Sequence, residues 1–259
     1  MQVIGGMPCF ANPTAACDHI EEAVLPAETL GRRYLVTVPT GPKDTAVPVT
    51  VRFVGNVDNT SLLFTPSIAG APATLNAGQV VEIATVSTDF FVQGNHEFVV
   101  STIQKSGSVV DPAGGSMAKG DPSLSNAIAV EQYRLKYVFL APDDYDLSYA
   151  DVAALSGTQL TLDGAPVTTT STAVGNSGLV VFRIKLGAGN AGGHRLECDK
   201  PCGLQVIGYG SYTSYQYPGG LNLLSIAPPP PPISTAGGAR ARRWPRRGAA
   251  CSGAARAAR

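Results

Sequence analysis

Histidines and clustered acids are the side chains of this sequence that could support acid–base chemistry or bind a metal. The histidines stand apart at His19, His96 and His194, and three carboxylates fall within Asp143–Asp146. Three scattered histidines do not predict a metal cluster, and the acidic segment lacks the glycine and downstream glutamate of a calcium loop. A catalytic acid pair needs surroundings that separate two pKa values, and no basic or apolar neighbour in sequence supplies them. We therefore predict a non-enzymatic protein with no cofactor and no metal site.

Two glycine motifs resemble reactive sites. Gly187–Gly192 matches the dinucleotide pattern G-x-G-x-x-G, and Gly114–Ala118 approaches the turn that holds a nucleophilic serine. The first pattern requires a following helix to bind pyrophosphate, whereas residues 193–201 contain Gly, Asp and Pro and indicate a strand and a turn. The second lacks the strand-to-helix turn that would strain the serine. Both motifs are interpreted as loops.

Five cysteines bear on the redox state of the chain. Cys9 and Cys251 lie in ends that we expect to be irregular, which leaves Cys17, Cys198 and Cys202 attached to the folded body. Cys198 and Cys202 have neither the spacing of a thioredoxin motif nor a second pair that would complete a zinc site. In an exported protein, Cys198 or Cys202 is expected to form a disulfide with the other or with Cys17. Free buried thiols are the alternative.

Four tyrosines fall within nine residues, from Tyr209 to Tyr217. Tyrosine offers a large contact area at a low entropic cost, so Tyr212, Tyr215 and Tyr217 form a candidate ligand-contact patch. The alternative is that these rings fill the seam between two modules, with Pro218–Gly220 turning the last strand inward. The sequence leaves both interpretations open.

The elements that position these residues occur twice along the chain. Tyr34–Pro39 returns as Tyr137–Pro142, a Val-Val segment at 80 returns at 180, and the segment around His96 returns around His194. The offsets are 103, 100 and 98 positions, a period too long for a solenoid and suited to two related globular modules. Because a residue type that recurs at matching places belongs more readily to the fold than to a reaction, both histidines are interpreted as structural.

Short runs rich in Val, Ile, Phe, Tyr and Thr alternate with Gly, Pro, Asn and Asp from Leu30 onward. Val49–Phe53 and Phe182–Leu186 alternate apolar and polar residues, which is typical of half-buried strands. Lys105–Ser125 is expected to be a long exposed loop. The pattern predicts an all-β fold of two tandem antiparallel β-sandwiches. We place an irregular N-terminus at 1–19, the modules at 20–130 and 131–226, and a Pro-rich and Arg/Ala-rich disordered tail at 227–259.

Composition and charge exclude several classes of function. The formal net charge is zero, but Ser234–Arg259 holds seven of the 19 basic residues and no acid, so the remaining chain carries 12 bases against 19 acids. Nucleic acid requires clustered cations, so we predict no nucleic-acid partner. No apolar stretch approaches the roughly 20 residues of a transmembrane helix. Met1–Cys9 lacks the basic and apolar regions of an export signal, so we expect none in this chain.

Several segments resemble the N-terminal domain of IgGFc-binding proteins, a family of mucus glycoproteins and of bacterial, notably myxobacterial, surface proteins. The resemblance runs from Cys17 to Ile226 and rests on Gly208–Tyr212 with Tyr217–Asn222, on Ala129–Tyr133, on Tyr137–Pro142 and on Leu162–Gly164. It implies an extracellular or cell-surface, β-rich region that binds or adheres without catalysis, and it assigns no catalytic or ligand-contact residue. Both ends depart from the family pattern, which a late start site and a frameshift would explain; the chain is then a truncated member.

The sequence therefore predicts a tandem β-sandwich that recognises a protein or a glycan at the cell surface. Two alternatives stay open: a carbohydrate-active or esterase-like hydrolase on a β-sandwich, and a structural spacer that holds another domain away from the surface. Fold alone does not choose among them, because unrelated functions share sandwich folds. The sequence predicts neither the ligand nor the number of chains that assemble.

Overall fold

The computed structural model describes residues 3–12, 17–186 and 192–228. Strands make up 53% of the described residues and helix 6%, so the predicted all-β class is confirmed. The glycine motif Gly187–Gly192, apart from its last residue, and the tail beyond Pro228 lie outside the described residues. Within the described part of the chain, no helix is long and apolar enough to cross a membrane.

Strands in the first half of the chain are rich in β-branched and aromatic residues, which favour the extended backbone. The strands are β1 (Ile4–Phe10), β2 (Asp18–Ala23), β3 (Arg33–Val36), β4 (Val49–Gly55), β5 (Thr60–Thr65), β6 (Thr74–Leu75), β7 (Val80–Val86), β8 (Phe90–Gly94), β9 (Phe98–Gln104) and β10 (Leu124–Asn126). One helical turn, α1 (Gly107–Val110), follows β9, and 3-10 turns lie at Ala27–Thr29 and Gly115–Met117.

The second half begins with a 3-10 turn at Val130–Gln132 and contains eight described strands. They are β11 (Arg134–Ala141), β12 (Leu147–Leu155), β13 (Leu160–Leu162), β14 (Ala165–Pro166), β15 (Thr172–Ala173), β16 (Leu179–Lys185), β17 (Gly192–Gly210) and β18 (Thr213–Pro218).

Two four-stranded antiparallel sheets form the first sandwich. Their strand orders are β3-β8-β5-β6 and β10-β9-β4-β7. Alternate side chains of each sheet point inward, so Phe53 of β4, Phe90 of β8 and Phe98 of β9 are fully buried in one core. Edge-to-face and tilted ring contacts join Phe53, Phe64 and Phe90, which adds to the burial of their apolar surface.

The second sandwich is built around β17, a strand of 19 residues that takes part in both layers. Its first part pairs with β11 and β13, and its last part, from Cys202 onward, pairs with β12 and β18. Hydrogen bonds therefore connect both layers into one eight-stranded sheet. The layers enclose a core that contains Leu196 from the first part of β17 and Leu204 from the last. The tandem antiparallel sandwiches predicted from the sequence are confirmed.

The two sandwiches share one pairing scheme. In one layer, β3, β8 and β5 of the first module correspond to β11, the first part of β17 and β13 of the second. In the other layer, β10, β9 and β4 correspond to β18, the last part of β17 and β12. The register agrees residue by residue: Tyr34 pairs with Val92, and its counterpart Tyr137 pairs with Leu196. The duplication predicted from the sequence is therefore present in the strand pairing.

A buried tyrosine closes each sandwich in the same way. The Tyr34 hydroxyl donates to the C=O of Phe98 at 2.6 Å and accepts from the N–H of Gly31 at 3.2 Å. The Tyr137 hydroxyl donates to the C=O of Cys202 and accepts from the N–H of Arg134 at 3.1 Å. Each hydroxyl thus ties the exit of a 3-10 turn to the first residue of the strand in the opposite layer.

The pairing also corrects one match in the sequence repeat. His194 pairs with Phe139 on β11, and the equivalent pair in the first sandwich is Phe90 with Val36. His96 instead lies between β8 and β9, where the second copy has the Cys198–Cys202 segment. The expectation that the two histidines occupy matching places is wrong: Gly94 and Phe98, on either side of His96, correspond to Cys198 and Cys202, so the modules are offset here by 198 − 94 = 104 positions rather than 98.

The sandwiches pack against each other through an apolar seam with buried charges. Leu35 of β3 lies in a cluster with Ala153 of β12 and Val181 of β16. Beside it, Asp151 of β12 is fully buried and accepts hydrogen bonds from the Thr40 N–H at 3.1 Å and the Thr40 hydroxyl at 2.7 Å. The described residues 3–12, 17–186 and 192–228 thus belong to one compact unit.

Part of the region 1–19, which the sequence suggested is irregular, forms strands at residues 4–10 and 18–19. Strands β1 and β2 form an antiparallel hairpin with an irregular register between Met7 and Phe10. Asn12 then anchors the hairpin: its side chain donates to the Gln104 C=O at 2.9 Å and accepts from the buried Lys105 ammonium at 2.8 Å. Two glycines and a proline in β1 gave no alternating pattern, so only the pairing partner reveals the strand.

The predicted exposed loop Lys105–Ser125 is likewise only partly exposed. It contains α1 and the start of β10, and both Lys105 and Ser106 are buried. The Lys105 ammonium also donates to the Thr50 hydroxyl at 2.8 Å and to the Ala84 C=O. Burial lowers the pKa of this ammonium, against the attraction of nearby Glu82.

Candidate binding surfaces

His194, a residue type that can act as a general base, is buried in the second sandwich. Its ring is 5% exposed, stacks on Phe139 with centroids 5.3 Å apart, and places Nδ1 2.7 Å from Asp163 Oδ2. Burial opposes ionisation of Asp163, but hydrogen bonds from His194 and from the Arg195 N–H outweigh it and lower the pKa of that carboxyl. The pair fixes the turn after β13 to β17.

The other candidate acid–base residues lie apart from His194 and from one another. His19 is on the exposed face of β2, 3.1 Å from Glu21, and His96 is in the turn between β8 and β9. The acidic segment Asp143–Asp146 forms the turn between β11 and β12, with Asp146 2.5 Å from the Lys119 ammonium. Among the described residues, no group of three or more His, Cys, Asp or Glu side chains is placed to hold a metal ion.

Four cysteines form two disulfides in the described residues. Cys198 is bonded to Cys202, and Cys17 is bonded to Cys9 rather than to either of them. The first joins the two parts of β17 where the strand passes from one layer to the other. The second closes the hairpin of β1 and β2. Sequence reasoning set Cys9 aside because its strand was not recognised.

The three candidate tyrosines differ in exposure. Tyr215 and Tyr217 are half-buried on the core side of β18, and their hydroxyls donate to the Ser148 hydroxyl at 2.9 Å and to the Leu140 C=O. Burial raises the pKa of Tyr215 to about 12. Tyr212 is 54% exposed, and its hydroxyl donates to the Gly115 C=O at 2.7 Å. Only Tyr212 therefore presents most of its ring to solvent.

The seam between the modules is filled instead by the other face of β18. Its polar residues alternate with the tyrosines, and Gln216 donates to the C=O groups of Thr102 at 2.8 Å and Ser123 at 2.6 Å. The rings of Tyr215 and Tyr217 face the second core, so neither interpretation taken from the sequence describes all three tyrosines.

The largest difference between the two modules lies on the outer face of their corresponding first strands. Leu35 of β3 is 4% exposed because the second sandwich covers it, whereas its counterpart Val138 of β11 is 79% exposed. Leu135 and Leu140 on β11 are also exposed. We call the outer face of β11 and the neighbouring part of β17 the β11 surface.

Cations surround the β11 surface. A cavity of ≈ 390 Å³ lies beside it, lined by Arg134, Lys136, Tyr137, Val138, Arg195 and Gly219. Glu197 is the acid nearest to these groups; it lies 2.9 Å from the Lys136 ammonium and also pairs with Arg195. Hydrogen bonds from Lys136 and Arg195 lower the pKa of Glu197, so it is ionised at neutral pH. The surface combines apolar side chains with a local excess of positive charge on an otherwise acidic body.

A second apolar groove lies under the N-terminal hairpin. It has a volume of ≈ 390 Å³ and is bordered by Met7, Phe10, Ile20, Val54 and Leu124. Val54 belongs to the outer face of β4, which corresponds to the face that β12 uses in the seam. The hairpin thus covers the outer face of β4 in the first module, and the first module covers the corresponding face of β12 in the second.

Residues 1–208 match the family model described as IgGFc binding protein. The chain belongs to this family. No curated protein matches the chain significantly. Among solved structures, an anti-sigma factor domain-containing protein is similar with 10% identity and a TM-score of 0.21, over 75% of this chain and 83% of that one. A TM-score this low carries no argument about fold or function.

Membership of the IgGFc-binding family indicates a binding domain of an extracellular type. The family match includes β11 and most of β17, and it ends at Gly208, so Tyr212, Tyr215 and Tyr217 lie beyond it. The sequence did not reveal the β11 surface, because a strand with apolar residues on both faces has the same pattern whether or not another module packs on its second face. The signal was present in Lys136 and Arg134, which interrupt the apolar pattern.

Proposed function

We propose that this chain is a non-catalytic binding or adhesion module that works outside the cell and recognises a protein at the cell surface through the β11 surface. The observation that carries the proposal is the contrast between Leu35 and Val138, two equivalent residues that are 4% and 79% exposed. The corresponding face of β3 forms the contact between the two modules of this chain. The exposed face of β11 is therefore suited to form a contact with another protein.

Side-chain chemistry supports a protein partner. Val138 and Leu140 supply an apolar centre, and Arg134, Lys136 and Arg195 supply a charged rim. An apolar centre with a polar rim is the usual anatomy of a protein interface. The same pattern occurs in the seam, where Leu35 packs on apolar residues and Arg183 binds Asp89 at 2.8 Å.

A non-catalytic role is supported by where the reactive residue types lie. His194 is held by Asp163 and Phe139 under the sheet, and the exposed acids Asp143 and Asp144 lie in a turn. General acid–base catalysis requires both groups within reach of one substrate. These residues instead serve turns and strand packing, so a hydrolase on this sandwich receives no support from their positions.

The proposal is tested by attachment of beads that carry the chain to surfaces coated with an immunoglobulin Fc fragment, with mucin, or with intact cells. Fc is the first probe because the family description names it. Val138→Glu is expected to abolish attachment, because a buried carboxylate inside an apolar contact carries a large desolvation cost. Leu63→Glu is the matched control, since Leu63 is 72% exposed on β5, away from the β11 surface.

Equal attachment of the two variants, or no attachment of the unmodified chain to any of these surfaces, would contradict the proposal. Treating the coated surface with a protease should remove binding; removal by glycosidases alone would assign a glycan ligand. Tyr212→Ala tests the exposed tyrosine, which stays a candidate contact on the opposite end of β18.

A further inference from the structure

Strand β11 differs from β3 in its backbone edge as well as in its exposed side chains. On β3, the chain segment that follows β10 completes the edge through an antiparallel bridge between Tyr34 and Ala129. The same segment places Glu131 against Arg33, with Oε1 and Nε 3.0 Å apart. The segment is apolar and extended up to Ala129, and the 3-10 turn at Val130–Gln132 then carries the acidic Glu131; together they cover the edge of a strand within this chain.

The equivalent segment of the second module does not cover β11. Gly219 still donates its N–H to the Leu204 C=O, as Ala127 does to Val100 in the first module. The chain then turns at Gly220, whose φ of 136° is accessible to glycine and strained for other residues. Asn222 binds the C=O groups of Gln132 and Tyr133 instead. The edge of β11 is left facing the cavity that Lys136 and Val138 line.

The direction of the edge backbone follows from Tyr217. Its hydroxyl accepts from the Leu140 N–H at 2.9 Å and donates to the Leu140 C=O, so both backbone groups point away from β17. Backbone groups alternate in direction along an antiparallel strand. The N–H and C=O groups of Val138 and Lys136 therefore point to the same free side. Tyr217 occupies the end of this edge at Leu140, and among the described strands none pairs with β11 on this side at Lys136 and Val138.

We propose that the β11 edge binds a segment of a partner protein by strand addition, and that this segment is extended and apolar and then turns at an acidic residue, as Ala127–Glu131 does on β3. The inference rests on the proposed function and names the partner class for the same surface. Main-chain hydrogen bonds to Lys136 and Val138 supply affinity in this mode, and side chains supply specificity. Lys136 is the counterpart of Arg33, so it is placed to receive the acidic residue that Glu131 provides on β3.

The probe is a synthetic peptide with the sequence of residues Ser125–Gln132, added to the full chain and followed by fluorescence anisotropy. Val138→Pro removes one outward N–H, and proline is tolerated at such an edge position. Val138→Ala removes the side chain but keeps the N–H. Proline is expected to weaken binding about tenfold relative to alanine, the loss that one good hydrogen bond represents. A peptide carrying Glu131→Lys should bind more weakly than the parent peptide.

Amide hydrogen exchange on the unmodified protein supplies a second readout that does not depend on a variant folding. Saturating peptide is expected to slow exchange at Lys136 and Val138 and to leave Phe139 unchanged, because the Phe139 N–H already faces β17. Equal binding by the proline and alanine variants, or unchanged exchange at Lys136 and Val138, would overturn strand addition. If Val138→Glu still abolished bead attachment in that case, the β11 surface would stand as a binding face without strand pairing.

Discussion

The two sandwiches follow one plan, yet their first strands have different surroundings. In the first module, the side-chain face of β3 is covered by the second module and its edge by the connecting segment at Ala129. In the second, the corresponding face of β11 is exposed, and no described segment covers its edge at Lys136 and Val138. The difference teaches that equivalent strands of a duplicated module keep apolar outer faces even where only one of them is covered by a neighbouring module.

The largest expected effect on stability distinguishes two equivalent side chains, Leu35 on β3 and Val138 on β11. Leu35→Ala removes a buried leucine from the seam and is expected to lower the free energy of unfolding by about 3 kcal/mol. Val138→Ala removes exposed atoms and should change it by less than about 0.5 kcal/mol. Urea unfolding monitored by circular dichroism measures both. Equal costs would mean that the seam does not contribute to the stability of the first module.

Asp151 distinguishes the two modules through the pH dependence of the unfolding free energy. Its counterpart on β4 is Arg52, which lies on the surface beside Glu82, whereas burial raises the pKa of Asp151 to about 6, against the attraction of Arg183 and the Thr40 hydrogen bonds. The folded state therefore binds more protons than the unfolded state between pH 4 and 6, so the contribution of Asp151 to stability falls as pH rises through about that window.

Asp151→Asn should abolish this pH dependence, which corresponds to about 3 kcal/mol. Unfolding free energies measured from pH 4 to 7 should show the variant gaining on the unmodified protein as pH rises. Asp143→Asn, in the exposed turn between β11 and β12, is the control for the loss of a surface carboxylate. A parallel pH profile for Asp151→Asn would show that Asp151 ionises in the folded protein as readily as in the unfolded chain.

The buried tyrosines Tyr34 and Tyr137 test whether the same hydrogen bonds contribute equally to the stability of the two modules. Tyr34→Phe and Tyr137→Phe each remove a hydroxyl that both donates and accepts a hydrogen bond inside the fold. Each should cost about 2 kcal/mol, because the backbone groups left behind are buried. Tyr212→Phe, at an exposed position, should cost little. A large cost in one module and none in the other would break the equivalence of the two closures.

The smallest effect is expected at the Cys198–Cys202 disulfide, a covalent difference between the corresponding strands of the two modules. The first module has Gly94 and Phe98 where the second has the Cys198–Cys202 disulfide. Because the bond closes a very short loop, replacing both cysteines with alanine should cost about 1 to 2 kcal/mol. Thermal unfolding under oxidising conditions measures this. A loss as large as that of Leu35→Ala would mean that the bond, rather than strand pairing, holds the two parts of β17 together.

The sequence supports prediction of the β class, the duplication and the sandwich architecture, because alternation in segments such as Val49–Phe53 reports burial directly. It could not place the hairpin at Ile4–Phe10, whose glycines and proline carry no periodic signal. It also could not distinguish β3 from β11, since exposure of an apolar side chain depends on which module lies beside it. Nor could it show which rings of the tyrosine patch face inward, since Tyr215 and Tyr217 do so only once β18 pairs with β17.

The continuity of β17 has a mechanical consequence. A force applied through a partner on β11 passes directly into β17 and from there to β12 and β18 without crossing a loop. The ladders on either side of β17 would then be loaded along their length, so that many hydrogen bonds resist the pull together. Single-molecule stretching from β11 would measure that resistance.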